Sequence, residues 1–101
     1  MKKENSFGDR IRNLRGKRGV SIKNLATTLG VNYTYLSKIE NNRSVPSGEF
    51  IEKLARVFNC DPEELKIRAG KIPEDIVTIL REHPREAMGY LRREFGGPKS
   101  S

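Results

Sequence analysis

The sequence of 101 residues contains one cysteine, one histidine and no tryptophan. The single thiol, Cys60, cannot form a disulfide within the chain, and neither Cys60 nor His83 has neighbours at the spacing of a zinc site. We interpret Cys60 as a small buried hydrophobe and His83 as a surface residue or a cation at a helix C-terminus. The sequence therefore predicts no metal ion and no cofactor.

Long apolar runs and catalytic constellations are absent as well. No apolar stretch reaches the roughly 18 residues that cross a bilayer, and no apolar segment follows the basic first residues as it would in a secretory signal. We therefore expect a cytoplasmic protein with no membrane contact. The sequence contains no nucleophile–base pair, no phosphate-binding glycine loop and no pair of carboxylates facing a pocket. We predict that the chain is not an enzyme.

The net charge of +7 is unevenly distributed along the chain. Residues 1–46 contain ten Lys and Arg against three Asp and Glu, whereas residues 47–101 contain ten of each kind. All of the excess positive charge therefore lies in the N-terminal part. Such asymmetry favours a surface that faces a polyanion. The alternative is a basic protein whose charge only keeps it soluble.

The apolar residues predict helices throughout the chain. They recur at intervals of three and four, and no stretch alternates as a strand would. Five of the apolar segments follow a residue of a type that caps helix N-termini. These residues are Ser6, Ser21, Asn32, Ser47 and Asp61. At the last of them, Pro62 and Glu64 complete the sequence pattern of a capping box.

The helical pattern stops at Gly70 and then begins again. Pro73 opens a sixth helix, and Pro84 is expected to end or kink it. A last helix runs from about Arg85 to Phe95, and the glycine-rich residues after it are expected to form a flexible tail. The sequence therefore predicts an all-α protein.

The segment Ser21–Glu40, with the sequence SIKNLATTLGVNYTYLSKIE, has the pattern of a helix-turn-helix. Gly30 permits a left-handed backbone in the turn between its two short helices. Leu36 and Ile39 occupy the inward side of the second helix. Hydrogen-bonding side chains with little acid among them occupy the outward side: Asn32, Tyr33, Thr34, Ser37 and Lys38. Such a face fits the major groove, where base edges present donors, acceptors and the thymine methyl group.

Together with RIRNLRGKRGVSIKNLA and LGVNYTYLSKIENNRSVPS, this segment resembles the Cro/phage-repressor (xenobiotic-response-element) class of bacterial and phage regulators. The resemblance covers residues 7–69, and it is specific because the spacing, the turn glycine and the block YLSKIEN all agree. It implies a five-helix, lambda-repressor-like domain over residues 1–70 that binds double-stranded DNA. The helical pair and the tail extend this domain over residues 71–101.

The resemblance also implies which residues meet DNA. The class reads bases from the start of its recognition helix and from one turn later, here Asn32, Tyr33, Thr34, Ser37 and Lys38. It contacts phosphates from the start of its second helix and from the loop after the recognition helix, here Ser21, Ile22, Lys23, Asn41, Asn42, Arg43 and Ser44. Packing against the protein is the alternative for Tyr33, and it is the role that we prefer for Tyr35.

The class commonly pairs an arginine of its first helix with the glutamate that closes the third, and Arg15 and Glu40 occupy these positions. We interpret this pair as structural, because a bidentate contact there would fix the recognition helix against the body. Two residues depart from the class. Ile22 stands where glutamine is frequent, which removes one polar contact to DNA. Asn42 stands where glycine is frequent, and asparagine tolerates the left-handed backbone of such a turn.

The helices after Gly70 carry an apolar face that is larger than a short surface hairpin needs. We expect this face to bind a second copy or a protein partner through Ile76, Ile79, Leu80, Met88, Leu91 and Phe95. The alternative is that the pair folds back on the first domain as extra core. The sequence thus predicts a regulator, more a repressor than an activator, that acts as a homodimer on a near-palindromic operator. The second hypothesis is an antitoxin-like interaction module that binds a protein through residues 71–96.

Overall fold

A computed structural model describes residues 6–96, which form seven α-helices and no strand. In chain order the helices are α1 (Phe7–Arg18), α2 (Ile22–Leu29), α3 (Tyr33–Glu40), α4 (Gly48–Phe58), α5 (Pro62–Arg68), α6 (Glu74–Glu82) and α7 (Pro84–Phe95). The predicted all-α class is confirmed. The expected flexible tail, apart from Gly96, lies outside the described residues.

The N-terminus of each of the first five helices is capped by the residue that the sequence predicts. Each cap has a side-chain oxygen that accepts a hydrogen bond from a backbone N–H two or three residues later, and these bonds are 2.6–3.1 Å long. The capping box expected at Asp61 does not form in the predicted way. Asp61 accepts from the Glu63 N–H, whereas the Glu64 carboxylate lies against the guanidinium groups of Arg10 and Arg68. These two cations draw Glu64 away from the backbone of the cap.

The chain divides between Lys71 and Ile72 into two compact units. In the first unit, α1 to α5 bury one cluster of apolar side chains: Phe7, Ile11, Leu25, Ala26, Leu29, Leu36, Ile39, Ile51, Leu54, Ala55, Phe58 and Leu65. Burial of a large aliphatic side chain stabilises a fold by roughly 1.5–3 kcal/mol. Because Leu36 and Ile39 of α3 are fully buried in this cluster, the inner side of α3 is fixed to the body of the unit.

Two cations of the first unit satisfy carbonyl groups at helix C-termini. Lys53 Nζ donates to the Leu29 carbonyl at 3.1 Å, at the end of α2. Arg18 donates to the carbonyls of Val57 and Phe58 at 3.1 and 2.8 Å, and its guanidinium also lies 5.6 Å from the centroid of the Phe58 ring. The last carbonyls of a helix have no partner within it. These side chains therefore stabilise the ends of α2 and α4 and tie neighbouring helices together.

The second unit contains α6 and α7, and none of the residues in these two helices is buried. His83 lies between the two helices, and Pro84 is the first residue of α7. The proline therefore separates two helices and does not kink one, since its missing N–H and fixed φ suit the first helical position. Across residues 6–96, no helix combines the length and the apolar character that spanning a membrane requires.

Candidate nucleic-acid interface

The turn between α2 and α3 places the two helices of the motif in direct succession. Gly30 adopts the left-handed conformation, with φ at 72°. The Gly30 N–H donates to Thr27 and the Val31 N–H donates to Ala26, at 3.1 and 3.0 Å. These bonds satisfy the last carbonyls of α2. Asn32 then caps α3, so only residues 30–32 separate the two helices.

One side of α3 faces solvent while the opposite side is buried. Asn32, Tyr33, Thr34 and Lys38 are exposed, and Ser37 is partly exposed. We call these five residues the outer face of α3. They are the side chains predicted to contact bases, and none of them is buried.

The two tyrosines of α3 have different surroundings. Tyr33 is 48% exposed. Tyr35 is partly buried, and its ring packs edge-on against Phe50 with 5.6 Å between the centroids. Tyr35 is therefore a packing residue, as the sequence indicates, and Tyr33 is available to a ligand of the outer face.

Arg15 and Glu40 form a bidentate ion pair between α1 and the end of α3. Arg15 Nε lies 2.7 Å from Glu40 Oε2, and Arg15 Nη2 lies 2.9 Å from Glu40 Oε1. Glu40 is only 2% exposed, so the hydrogen bonds from Arg15 replace those that its carboxylate would make to water. The hydrogen bond to Glu40 raises the pKa of Arg15 above its ordinary value, against the lowering effect of burial. Arg15 also donates to the Val20 carbonyl at 3.1 Å and so holds the turn before α2.

Asn41 and Asn42, both predicted to contact phosphates, make hydrogen bonds within the protein. Asn41 Oδ1 accepts from Arg12 Nη2 at 2.9 Å, and Asn41 Nδ2 donates to the Ser37 carbonyl at 2.9 Å. Asn42 Oδ1 accepts from the Gly8 N–H at 2.9 Å. The two amides therefore join α1 to the end of α3. This role could not be predicted from local sequence, because the partners on α1 lie 29 and 34 positions earlier in the chain.

The remaining predicted phosphate contacts differ in what they present to solvent. Lys23 and Arg43 are exposed, and the ion pairs found among residues 6–96 involve other residues. Ser21 Oγ caps α2, and Ser44 is partly exposed. The Ile22 side chain packs against the core, so only the backbone N–H of Ile22 could meet a phosphate. Exposed cations thus lie both before and after the outer face of α3 in the sequence.

The second unit has an apolar groove between α6 and α7. Four of the six residues predicted to form a dimer or partner surface line it: Ile76, Ile79, Leu80 and Leu91. Met88 and Phe95 are exposed outside this groove, and Phe95 is 78% exposed. Tyr90 also lines the groove and was missed from the sequence, although it stands next to Leu91 on the same helix. His83 and Glu86 are the two polar residues that also line the groove.

No group of three or more His, Cys, Asp or Glu side chains within residues 6–96 is arranged to hold a metal ion. Cys60 is partly buried against the core, and burial raises the pKa of its thiol above the ordinary value. A thiol that stays protonated is a poor nucleophile and a poor metal ligand. Cys60 thus behaves as a packing residue.

The chain is similar in sequence to a known family and to individual known proteins. The family model described as Helix-turn-helix matches residues 11–65. The chain is 41% identical over 70 residues to the HTH-type transcriptional repressor RghR of Bacillus subtilis (strain 168), and the alignment covers 68% of this chain and 52% of RghR. It is 42% identical over 96 residues to the HTH-type transcriptional regulator SinR of Bacillus licheniformis, covering 88% of this chain and 85% of SinR. The chain spans about half the length of the first curated relatives that it matches.

A solved structure titled SinR protein/SinI protein complex is also similar. Its TM-score is 0.55 at 27% sequence identity, and the match covers 87% of this chain and 96% of that chain. The family and these relatives are transcriptional regulators and not enzymes, in agreement with the sequence-based prediction. The spacing of the motif, the seven-helix architecture and the family match all agree. The chain belongs to the Cro/phage-repressor class of helix-turn-helix transcriptional regulators.

Proposed function

We propose that the chain regulates transcription by binding a specific double-stranded DNA sequence with the outer face of α3. The observation that carries this proposal is the division of α3 into two sides. Leu36, Ile39 and Glu40 are buried on the inner side, so the helix is held rigidly. Short polar side chains and Lys38 stand on the exposed side, and such groups match the donors and acceptors of base edges in the major groove.

Base contacts would select the sequence while phosphate contacts would set the position of the protein on the duplex. We assign base reading to Asn32, Tyr33, Thr34, Ser37 and Lys38. We assign phosphate contacts to the start of α2 and to the loop after α3, through Ser21, the backbone of Ile22, Lys23, Arg43 and Ser44. The amides of Asn41 and Asn42 are engaged with α1, and we therefore assign them to holding the loop.

We infer a homodimer that represses by occupying its operator. The groove between α6 and α7 supports a second copy as its occupant, because residues 47–101 carry no net charge and would not repel themselves. A two-fold dimer would place its recognition helices about 34 Å apart, one turn of duplex or a small multiple of it. The operator would then be a near-palindrome. The relative RghR is named a repressor, and we extend that sign of regulation to this chain.

Selection of bound sequences from a random duplex pool tests the function. We expect recovery of a symmetric motif whose half-sites are separated by about one turn. If the dimer neutralises about 6–10 phosphates, the affinity should fall roughly a thousandfold or more between 50 and 200 mM salt. A pool that yields no motif, or a binding constant that hardly changes with salt, would contradict the proposal.

The oligomeric state tests the role of the groove. In Ile79→Glu, a charge enters the apolar groove, and we expect light scattering to report a monomer where the unaltered chain is a dimer. Arg81→Glu is the matched control, because Arg81 is exposed on the same helix and does not line the groove. A dimer that survives Ile79→Glu would remove the groove from the interface.

The second candidate function is the binding of another protein through α6 and α7, as an antitoxin-like module would do. The groove with its exposed isoleucine and leucine side chains is the observation that favours it, and the similar solved structure is titled as a complex of two proteins. A monomeric chain in solution, together with stoichiometric capture of one partner that Ile79→Glu abolishes, would support this function over homodimerisation.

A further inference from the structure

The turn that follows α3 is centred on Asn42, whose φ is +60°. The Asn42 N–H donates to the Ile39 carbonyl at 3.0 Å, and the Arg43 N–H donates to the Lys38 carbonyl at 2.8 Å. This pair of bonds is the Schellman arrangement, and it ties the backbone of Arg43 to the helix that carries Lys38. The conformation of Asn42 therefore sets the position of Arg43 relative to the outer face of α3.

The side chain of Asn42 anchors this turn to the first turn of α1. Its Oδ1 accepts from the Gly8 N–H at 2.9 Å, and its Nδ2 donates to Ser6 Oγ at 3.2 Å. Ser6 Oγ also accepts from the Asp9 N–H at 3.1 Å, as the cap of α1. Both hydrogen-bonding ends of the amide are thus used, and they satisfy backbone and cap groups at the start of α1.

A second contact of α1 holds the same turn. Arg12 Nη2 donates to the Glu40 carbonyl at 3.0 Å and to Asn41 Oδ1 at 2.9 Å. Gly8 makes the approach possible, because a Cβ at this position would overlap the Glu40 carbonyl oxygen and lie 2.8 Å from Asn42 Oδ1. Gly8 and Arg12 are four residues apart and share one side of α1. The backbone at the end of α3 therefore packs directly against the backbone of α1 at Gly8.

We propose that Asn42 is a positioning residue for DNA binding, whose amide holds Arg43 where its guanidinium meets the phosphate backbone. The inference rests on the proposed function, in which Arg43 is the cationic contact of this loop. Arg43 is exposed and carries a long side chain with much rotamer freedom. A loop that also moved would add to the ordering cost of the contact. The hydrogen bonds from the Asn42 side chain to Gly8 and Ser6 hold the loop in place before DNA binds. The ordering of the loop therefore adds no cost to binding.

Asn42→Gly separates the side chain from the backbone of the turn. Glycine adopts the left-handed conformation without strain, so the turn persists while the hydrogen bonds from the Asn42 side chain to Gly8 and Ser6 are lost. Asn59→Gly is the matched control, because Asn59 caps α4 with a φ of 55° and undergoes the same chemical change away from this loop. The affinity of each full-length variant for the selected duplex is measured by fluorescence anisotropy across a salt series, at a temperature where circular dichroism shows both variants folded.

The expected loss is set by one phosphate contact per protomer. Such a contact contributes about 0.9 to the salt slope, so the two contacts of a dimer contribute about 1.8 and about sixtyfold in affinity at about 0.1 M salt. Arg43→Ala should lose that amount, and Asn42→Gly should lose the greater part of it with a smaller salt slope. In the Arg43→Ala background, Asn42→Gly should cost no further affinity, because the residue acts through Arg43. Asn59→Gly should bind as the unaltered chain does.

Three outcomes would overturn the inference. Equal affinity of Asn42→Gly and Asn59→Gly would show that the hydrogen bonds from Asn42 to α1 do not contribute to DNA binding. An unchanged affinity in Arg43→Ala would show that Arg43 is not the group being positioned. A full additional loss from Asn42→Gly in the Arg43→Ala background would mean that Asn42 acts by another route. If the unaltered chain binds no duplex at all, the proposed function itself fails, and this result is distinct from the other three.

Discussion

Removal of the Arg15 guanidinium is expected to lower the free energy of unfolding of the first unit by about 3–4 kcal/mol. The Glu40 side chain is 3% exposed, and its two oxygens receive hydrogen bonds of 2.7 and 2.9 Å from Arg15. Arg15→Ala leaves this carboxylate buried, with Arg12 Nε at 3.6 Å as its remaining cation. The desolvation of the carboxylate is then poorly compensated, which is the reason for a large loss.

The magnitude follows from the burial of the pair. Truncation of one partner of a buried ion pair typically costs 3–5 kcal/mol, whereas an exposed pair contributes at most about 1 kcal/mol. Arg15 itself is 20% exposed and Arg12 stays within reach of the carboxylate, so the lower part of that range applies. The hydrogen bond from Arg15 to the Val20 carbonyl is lost as well and adds about 1 kcal/mol.

Urea unfolding followed by circular dichroism measures this loss as a lower midpoint at an unchanged slope. Lys17→Ala is the control, since it removes one positive charge from the exposed side of the same helix and should change stability by less than about 0.5 kcal/mol. Replacing both members, as Arg15→Met with Glu40→Leu, should recover part of the loss because no charge is left buried. If Arg15→Ala unfolds at the same urea concentration as Lys17→Ala, the bracing role of the pair is refuted.

Two further predictions concern α1 and α5. Gly8→Ala should destabilise the fold by about 1–3 kcal/mol, because its Cβ would overlap the Glu40 backbone carbonyl. Gly16→Ala in the same helix meets nothing within 4 Å and should stabilise by about 0.5–1 kcal/mol; calorimetry that shows both variants shifting the same way contradicts this account. At Glu64, burial raises the pKa, but the hydrogen bond from Arg68 and nearby positive charge outweigh it and hold the pKa below its ordinary 4.5. This carboxylate therefore stabilises the fold above pH 4.5 and loses that contribution as the pH falls through the lowered pKa. In urea titrations, Glu64→Gln should show a smaller loss of stability on acidification than the unaltered chain. An equal loss in both proteins would exclude the contribution of Glu64.

The helices could be predicted from the sequence because their start signals are local. Ser21 and Asn32 accept hydrogen bonds from N–H groups three and two residues later, and Gly30 adopts the left-handed turn that the residue type allows. The apolar stripes follow the helical period for the same reason. Such signals depend only on neighbouring residues, so the bounds of the helices can be predicted without knowledge of the packing.

Contacts between distant helices could not be predicted in this way. Asn42 stands where the sequence suggests a phosphate contact, yet its amide bonds to Gly8, 34 positions earlier. Glu64 completes a capping pattern, yet it pairs with Arg10, 54 positions earlier. In each case a local role and a tertiary role compete for one polar side chain, and the outcome depends on how closely α1 approaches the other helices. The Arg15 and Glu40 pair was anticipated only through the resemblance to a family.

The claim that the outer face of α3 reads the base sequence is tested most directly by repeating the selection with protein variants altered on that face. Thr34→Val and Lys38→Ala are each carried through the same random-pool selection as the unaltered chain, with Lys17→Ala as a control on α1. We predict that each α3 variant loses preference at its own position in both half-sites, by about 1–3 kcal/mol, while the remaining positions of the motif persist. Motifs that stay identical in both α3 variants would contradict the account, because the bases would then be read by another surface.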